Sequence, residues 1–452
     1  MISCTWQEIA SAVHGTVLQD FAFSITGVST DSRTAGQGQL FVPLRGEKFD
    51  GHAYIGKALA GGAAGTLTAV PPAELAANKG YIQVEDTQQA LHDLAEWYRQ
   101  KFSLPVVQIT GSAGKTTTKE MIACVLSRRF HTLKTQANFN NHVGTPLTLL
   151  QLAPGHEAAV IETGMNHFGE IRYLGQMVRP TMAVITNIGD AHIENLGGTR
   201  QGILQAKSEI FENLTPGGTV LLNGDDALLQ GLRLPFPTVL CGRDERCGVR
   251  VSQVVEKGIE GITCRVTTAQ DTYDVTVSTP GAYMIYPVSM AIAAGEQLGL
   301  KKSEILQGIA AYEPVGSRMH VIRNANGRTI IDDCYNANPQ AMAEALKILA
   351  QTQCRRRAAI LGDMGELGAL TQEAHRRIGE LTAALGIDTV IAIGEKAKAI
   401  AAANPAALWF PGVEAALPAV TAAFAEDTVM LVKASHAMQF ENIVKELASL
   451  SW

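Results

Sequence analysis

Thr110-Gly111-Ser112-Ala113-Gly114-Lys115-Thr116-Thr117 carries the residue types that hold a polyphosphate. Glycines in a short loop let backbone N–H groups turn inward, a following helix start adds positive potential, and a lysine reaches the β- and γ-phosphates. Thr116 is placed to hold Mg2+ through its hydroxyl. The run is the shorter Gly-x-x-Gly-Lys-Thr form, because Ile109 stands where the longer pattern needs its first glycine. Gly-Lys-Thr triplets also occur in ordinary turns, so the flanks decide. Val106-Val107-Gln108-Ile109 reads as an apolar strand, and Met121, Ile122, Val125 and Leu126 recur on one side of a helix. Strand, loop and helix together predict nucleoside triphosphate binding.

Other polar residues fall where apolar runs end. Glu162 closes Ala158-Ala159-Val160-Ile161, Asn187 closes Ala183-Val184-Ile185-Thr186, and Asp190 and His192 follow. A Glu after a strand serves equally as a surface or capping residue. Glu and His at successive strand ends beside a phosphate loop also suit a metal, and Mg2+ asks for a few oxygen ligands plus phosphate and water. Thr135 to Pro146, with Asn138, Asn140 and Asn141, is dense in amides and reads either as a plain loop or as ligand contact. The same two readings hold for Ser29-Thr30-Asp31-Ser32-Arg33, Gly46 and Phe49-Asp50-Gly51-His52, which suit turns and N-caps or an anion site. Asp332-Asp333 and Gly362-Asp363 end two later strand candidates.

These residues need elements to position them. With about 150 residues per domain, 452 residues predict three domains. An amphipathic helix is expected over 87–102, with Leu91, Leu94, Ala95 and Tyr98 inward. Strands over 106–110, 158–162, 182–187 and 219–223 alternate with helices, which predicts a mostly parallel sheet covered by helices. Ligands of such sheets sit at the carboxyl ends of the strands. Residues 240–278 read as a strand-rich insert, 281–311 as helix and 313–316 as a linker. The alternation then returns, with strands at 328–332, 357–361, 389–393 and 428–433 and helices at 340–351 and 371–385.

A hydrophobic content of 46% allows sizeable cores, and a net charge of −6 without a dense basic block argues against nucleic-acid and anionic-membrane partners. Arg355-Arg356-Arg357 reads as a solvated loop. The first residues lack the basic start and apolar core of a signal peptide, and no run of 18 apolar residues occurs. Seven cysteines without a Cys-x-x-Cys fit reduced thiols, so a cytoplasmic monomer is expected.

Taken together, five stretches in order make the chain resemble the ADP-forming Mur ligase family. They are Thr110 to Met121, Asn138-Phe139-Asn140-Asn141, Lys207-Ser208-Glu209-Ile210-Phe211, Asp333-Cys334-Tyr335-Asn336-Ala337-Asn338-Pro339 and Gly362-Asp363-Met364-Gly365-Glu366-Leu367-Gly368. The last, with the Asn-rich loop, is most similar to the branch that adds D-alanyl-D-alanine. The resemblance implies an α/β protein of three domains. A UDP-sugar-binding domain would span 1–102, a central P-loop-type ATP-binding domain 103–313, and a Rossmann-like domain for the incoming dipeptide 314–452. It implies ATP-driven phosphorylation of the terminal carboxylate of UDP-MurNAc-tripeptide, then attack by the amine of D-Ala-D-Ala. Lys115 would grip phosphate, with Gly111, Ser112, Ala113, Gly114, Thr117 and Asn138 around ATP. Thr116 and Glu162 would hold one Mg2+, and His192 and Lys207 a second, with Lys207 carbamoylated. Carbamoylation needs a neutral amine, below about 1% of an ordinary lysine of pKa ~10.4 at neutral pH. The alternative for Lys207 is an exposed helix residue paired with Glu209 or Glu212.

By the same resemblance, residues 29–33, Gly46 and 49–52 would bind the uridine nucleotide, and Asn140 and Asn141 the substrate. Arg318 and Asp333 would embrace ATP, followed by Tyr335, Asn336 and Asn338. The dipeptide would enter near Asp363 and Glu366, with Lys433 in contact. Three departures stand out. Gly281 is followed by Tyr283, Met284 and Pro287 where the family has adenine-framing amides, so Tyr283 would stack on the base instead. Pro287 interrupts a helix start unless it occupies the first turn. Lys433-Ala434-Ser435-His436 replaces Lys-Gly-Ser-Arg, and Val315-Gly316-Ser317-Arg318 alters the approach to the arginine. Competing readings are a sibling ligase adding one amino acid, a folylpolyglutamate-synthase-like enzyme, a ligase with altered nucleotide choice or low activity, and a nucleotide switch. The switch would need Asn-Lys-x-Asp, whereas Asn78-Lys79 runs on into Gly80-Tyr81.

Overall fold

Five short strands, Thr16–Gln19 (β1), Gly27–Ser29 (β2), Gln39–Phe41 (β3), Gly65–Thr68 (β4) and Gly80–Gln83 (β5), form the first sheet of the computed structural model. The structure describes residues 1–22, 24–46, 49–190, 193–325, 327–365 and 367–449. The strand order is β1-β5-β4-β3-β2, and only β1 runs antiparallel. Helix Trp6–Ala12 (α1) lays its indole where Gly65 and Gly80 lie side by side. A Cβ at either glycine would come within 2.4 Å of the Trp6 ring. Helix Ile55–Ala60 (α2) covers part of the sheet.

The predicted helix at 87–102 forms over Thr87–Arg99 (α3), capped by Asp86. It ties the first sheet to the segments beyond residue 105. The Tyr98 hydroxyl accepts from Ile2 N–H at 2.5 Å and donates to the Leu152 carbonyl at 2.7 Å. Arg99 Nε donates to the Val178 carbonyl at 3.1 Å, and one apolar core runs from Trp6 through Leu91 and Leu94 to Leu174 and Met177.

The next sheet includes six consecutive parallel strands: Val106–Thr110 (β6), Thr132–Lys134 (β7), Ala158–Glu162 (β8), Met182–Ile185 (β9), Thr219–Asn223 (β10) and Thr238–Gly242 (β11), with Val249–Glu256 pairing parallel to the last of them. Their order is β7-β8-β6-β9-β10-β11. Every residue of β6, β8 and β9 is buried, as expected for parallel strands covered on both faces. Helices Lys115–Leu126 (α4), Gly144–Leu149 (α5), Glu170–Val178 (α6) and Arg200–Ser208 (α7) do the covering. The chain fills β7 and β8 on one side of β6, then crosses to β9 on the other. That reversal opens a crevice at the carboxyl ends of β6, β8 and β9. The strand expected over 182–187 stops at Ile185, which frees Thr186 and Asn187.

The chain packs as two units, residues 1–250 with 289–308 and residues 251–288 with 309–452. The second contains a hairpin of Ile262–Thr267 (β12) and Thr272–Val277 (β13), whose residues alternate between buried and more exposed. Its main sheet comprises His320–Arg323 (β14), Thr329–Asp332 (β15), Arg356–Gly362 (β16), Thr389–Ile393 (β17), Leu408–Phe410 (β18) and Thr428–Lys433 (β19). The order is β14-β15-β19-β16-β17-β18, parallel except for β14. Helices Pro339–Gln351 (α8), Thr371–Ala384 (α9), Lys398–Ala403 (α10), Val413–Ala423 (α11) and Glu441–Ser449 (α12) enclose two apolar layers. Arg356 and Arg357 begin β16 and so correct the loop expected there; the Asp388 carboxylate accepts the Arg357 N–H at 2.7 Å. Pro287 lies in the first turn of helix Ile285–Gln297, where its missing N–H breaks no bond. All seven cysteines are free thiols. No helix among the described residues is long and apolar enough to cross a membrane.

Candidate active site

The loop after β6 has a shape that only glycine permits. Gly111 has φ +153°, and a Cβ there would sit 1.8 Å from Thr186 Oγ1. Gly114, at φ +77°, starts α4 without a side-chain cap. Orphan N–H groups of an uncapped first turn suit an anion. The tail of β9 holds this loop: Asn187 Oδ1 accepts from Ser112 N–H at 3.1 Å and Ala113 N–H at 2.9 Å. Thr186 Oγ1 donates to the Ala113 carbonyl at 2.6 Å, and Ser112 Oγ accepts from Gly189 N–H at 2.9 Å. Two amides expected to face phosphate are thus taken by Asn187. Lys115 Nζ folds back onto the Gly111 carbonyl at 2.8 Å, while Thr116 and Thr117 are half-buried.

One strand over, Glu162 is paired in register with Ile109 and only 2% exposed. Its Oε1 accepts from Asn140 Nδ2 at 2.8 Å, and its Oε2 is buried without a hydrogen-bond partner. Lys119 Nζ approaches that oxygen only to 3.9 Å. Lys119 is itself fully buried, donates to the Thr135 carbonyl at 2.7 Å and lies 3.0 Å from Glu120, which Lys134 pairs at 2.5 Å. An orphaned carboxylate oxygen at the crevice fits Mg2+, which keeps several waters and needs few protein ligands. Among the described residues no group of three or more His, Cys, Asp or Glu could hold a metal. Asn141 Oδ1 accepts from Val143 and Gly144 N–H, a turn-capping role, and Asn138 is exposed.

Lys207, near the end of α7, is 3% exposed. Burial first, then the charge of Lys115, pushes its pKa well below the usual lysine value. The exposed pairing with Glu209 or Glu212 does not form. Glu209 takes the Gly169 and Arg172 amides at the start of α6, and Glu212 pairs with the Arg172 guanidinium. Ser208 Oγ, beside Lys207 in the chain, is buried without a partner. His192 lies outside the described residues.

In the first sheet, Ser29 Oγ turns the chain by accepting from Asp31 N–H at 3.2 Å. Arg33 grips Asp31 through Nε and Nη2 and holds its carboxyl at about 2. His52 and Arg45 bind Asp50, also held at about 2, and Ala69 N–H donates to His52 Nε2 at 3.0 Å. A Cβ at Gly51 would come 2.6 Å from the Leu44 carbonyl oxygen, so the turn that presents His52 requires glycine. Thr30 and Ser32 are half-buried, and Gly46 and Phe49 are exposed.

The second unit gathers the later motifs. Lys433, 3% exposed, reaches Asp333 Oδ2 at 2.5 Å and the Asn336 carbonyl at 2.9 Å. Burial raises the Asp333 pKa against the pull of Lys433. Arg318 stacks 3.9 Å over the Tyr335 ring, which also stacks with His436 at 5.6 Å. Asn338 Oδ1 caps α8 at Ala341 N–H with Pro339 following, and the Asn336 side chain accepts from Ala337 N–H. Tyr283 packs over Gly281, and desolvation, then Asp333, raises its phenol well above the usual value. Asp363 Oδ1 accepts from Ala397 N–H at 2.7 Å, and Ser435 binds the Asp363 carbonyl and Gly365 N–H. Glu366 lies outside the described residues. Lys119, Glu120 and Ser435 carry these arrangements yet lie outside the predicted site. Only the Lys-Glu step after Thr118 hinted at the buried pair.

Comparison with known proteins agrees along the chain. Residues 24–99 match the Mur ligase family catalytic domain, 109–295 the Mur ligase middle domain and 317–436 the Mur ligase glutamate ligase domain. A UDP-N-acetylmuramoyl-tripeptide–D-alanyl-D-alanine ligase of Bacillus subtilis is 36% identical over 459 residues, covering 99% of each chain. A crystal structure of MurF from Acinetobacter baumannii aligns with TM-score 0.92 at 30% identity, again over 99% of each chain. MurF ligase from Thermotoga maritima, solved in complex with ADP, aligns at 0.83 and 26% identity over 93% of this chain and 97% of its own.

Proposed function

This chain belongs to the Mur ligase family, and from that premise we propose that it is the ATP-dependent, ADP-forming ligase that joins D-alanyl-D-alanine to UDP-N-acetylmuramoyl-tripeptide in peptidoglycan precursor synthesis. The reaction serves cell-wall biogenesis and, through it, cell shape and division; we place it in the cytoplasm. The observation that carries this reading is the likeness to D-alanyl-D-alanine-adding ligases over 99% of both chains. Residues 1–102 would take the UDP-sugar, 103–313 ATP and 314–452 the dipeptide.

In this reading the γ-phosphoryl group passes from ATP to the tripeptide carboxylate, and the dipeptide amine attacks the acyl phosphate, leaving amide, ADP and phosphate. Three anionic groups must converge, so positioning and charge neutralisation dominate. Gly111 to Thr117 and Lys115 seat the phosphates. Thr116 and the orphaned Glu162 oxygen fit one Mg2+, and His192 with Lys207 would hold a second. Mg2+, when bound, supplies charge neutralisation for the phosphate oxygens. Burial and Lys115 favour the neutral amine of Lys207, the form that reacts with CO2 to give a carbamate. Arg318 and Asp333 would attend the nucleotide, with Tyr283 toward its base.

The test is phosphate release with UDP-MurNAc-tripeptide and a panel of amines. Turnover is expected with D-Ala-D-Ala; turnover with single amino acids alone would assign a sibling activity. Because Tyr283, Met284 and Pro287 stand where amides are usual, ATP, GTP and CTP belong in the same assay. ATP is expected to be preferred.

A further inference from the structure

The imidazole of His375 is fully buried in α9, and both its nitrogens are engaged. The Met364 N–H donates to Nε2 at 2.9 Å, so Nε2 carries a lone pair. Nδ1 lies 2.7 Å from the Thr371 carbonyl and must therefore carry the proton. The two contacts specify a neutral ring in one tautomer. Met364 sits in the turn that leaves β16, and its neighbours are held by other elements. Asp363 is bound by Ala397 N–H and Ser435 N–H, and Gly365 N–H by Ser435 Oγ. The ring is the hold on the middle residue of that turn.

We propose that His375 is a positioning residue for the amine substrate: its neutral ring holds the turn Asp363-Met364-Gly365, and protonating the ring releases the turn and weakens binding of the dipeptide. Adding a proton to Nε2 sets two N–H donors against each other inside an apolar core of Met364, Ile378, Met342 and Ile400. An unpaired buried donor costs enough to move the chain. Burial is the largest influence on the ring and keeps it below the ordinary histidine value; Asp363 acts the other way and Lys396 with burial. Other charges on the packed elements are engaged in exposed contacts: Glu344 with Lys347 on α8, Lys398 over Trp409, and Glu373 with Arg376 and Arg377 on α9 itself.

The inference rests on the proposed entry of the dipeptide near Asp363, so the experiment separates the two. In the full-length, ligand-free protein labelled with [15N]methionine, the exchange protection of the Met364 amide is followed from about pH 8 to about pH 5, corrected for intrinsic exchange. Protection is expected to fall about tenfold. Over the same range KM for D-Ala-D-Ala, expressed as the concentration of its unprotonated amine, is expected to rise in parallel, with KM for ATP level. His375→Gln, which keeps an acceptor near Nε2 and does not titrate, is expected to flatten both profiles. Level protection in the unsubstituted protein, or the same fall in His375→Gln, overturns the proposal. Falling protection with a level dipeptide KM overturns the dipeptide's place there while leaving the ring's hold on the turn.

Discussion

At the scale of single residues, Lys207 is the informative one, because its surroundings oppose its charge. Burial and Lys115 hold its pKa well below the ordinary value of ~10.4. Between those two pKa values the unfolded chain binds more protons than the folded one, so stability of the ligand-free protein rises with pH. Lys207→Met removes that dependence. In CO2-free buffer at neutral pH the variant is expected to melt a few degrees higher, the difference closing as pH nears ~10; thermal scans across pH check it. Activity should move the opposite way. Lys207→Ala is expected to lose about 10²–10³ in kcat, as when one stabilising group is removed from a site, with partial recovery in added bicarbonate. Full turnover without the lysine would remove it from the site. Sequence showed that a lysine stood at this place in a motif. It did not show the burial, which depends on the elements that the fold packs against α7.

Among the elements, the ends of β6, β8 and β9 do the positioning, and buried charge holds them. Lys119 extends from α4 to the Thr135 carbonyl and toward Glu120 and Glu162. Removing one partner of a buried charge network leaves the others uncompensated, at about 3–5 kcal/mol. Lys119→Met is therefore expected to lower unfolding free energy by about that amount in urea titrations. A change below about 1 kcal/mol would mean that the network relaxes into water. Most strands were legible because apolar, β-branched runs such as Val106-Val107-Gln108-Ile109 have no polar face to confuse the period. Helices Lys398–Ala403 and Val413–Ala423 were not foreseen. Alanine-rich stretches carry little amphipathic contrast, and Pro418 inside the second argues locally against a helix that packing nonetheless sustains. The edge strand Leu408–Phe410 is too short to show alternation.

For the whole molecule, three domain roles and two packed units are different partitions of one chain. The second unit draws in residues 251–288, whose Ile259 and Tyr283 pack on the core that includes Met342, Leu346 and Leu349. A fragment of 314–452 would expose that surface, and burying one such Ile contributes about 1.5–3 kcal/mol. The fragment is expected to unfold several degrees below a chain joining 251–288 to 309–452 through a flexible linker; equal midpoints in thermal unfolding would discard the idea. By itself the sequence determined the phosphate loop, the alternation of strands and helices, the order of the motifs and hence the family, because each is written in local spacing and residue type. Tertiary structure alone decided which charges are buried together. It put Glu162 beside Lys119, took Glu209 away from Lys207, made Asn338 a helix cap and closed His375 over the turn at Met364. Burial and partner choice depend on chain segments brought together over long separations, and no local pattern records them.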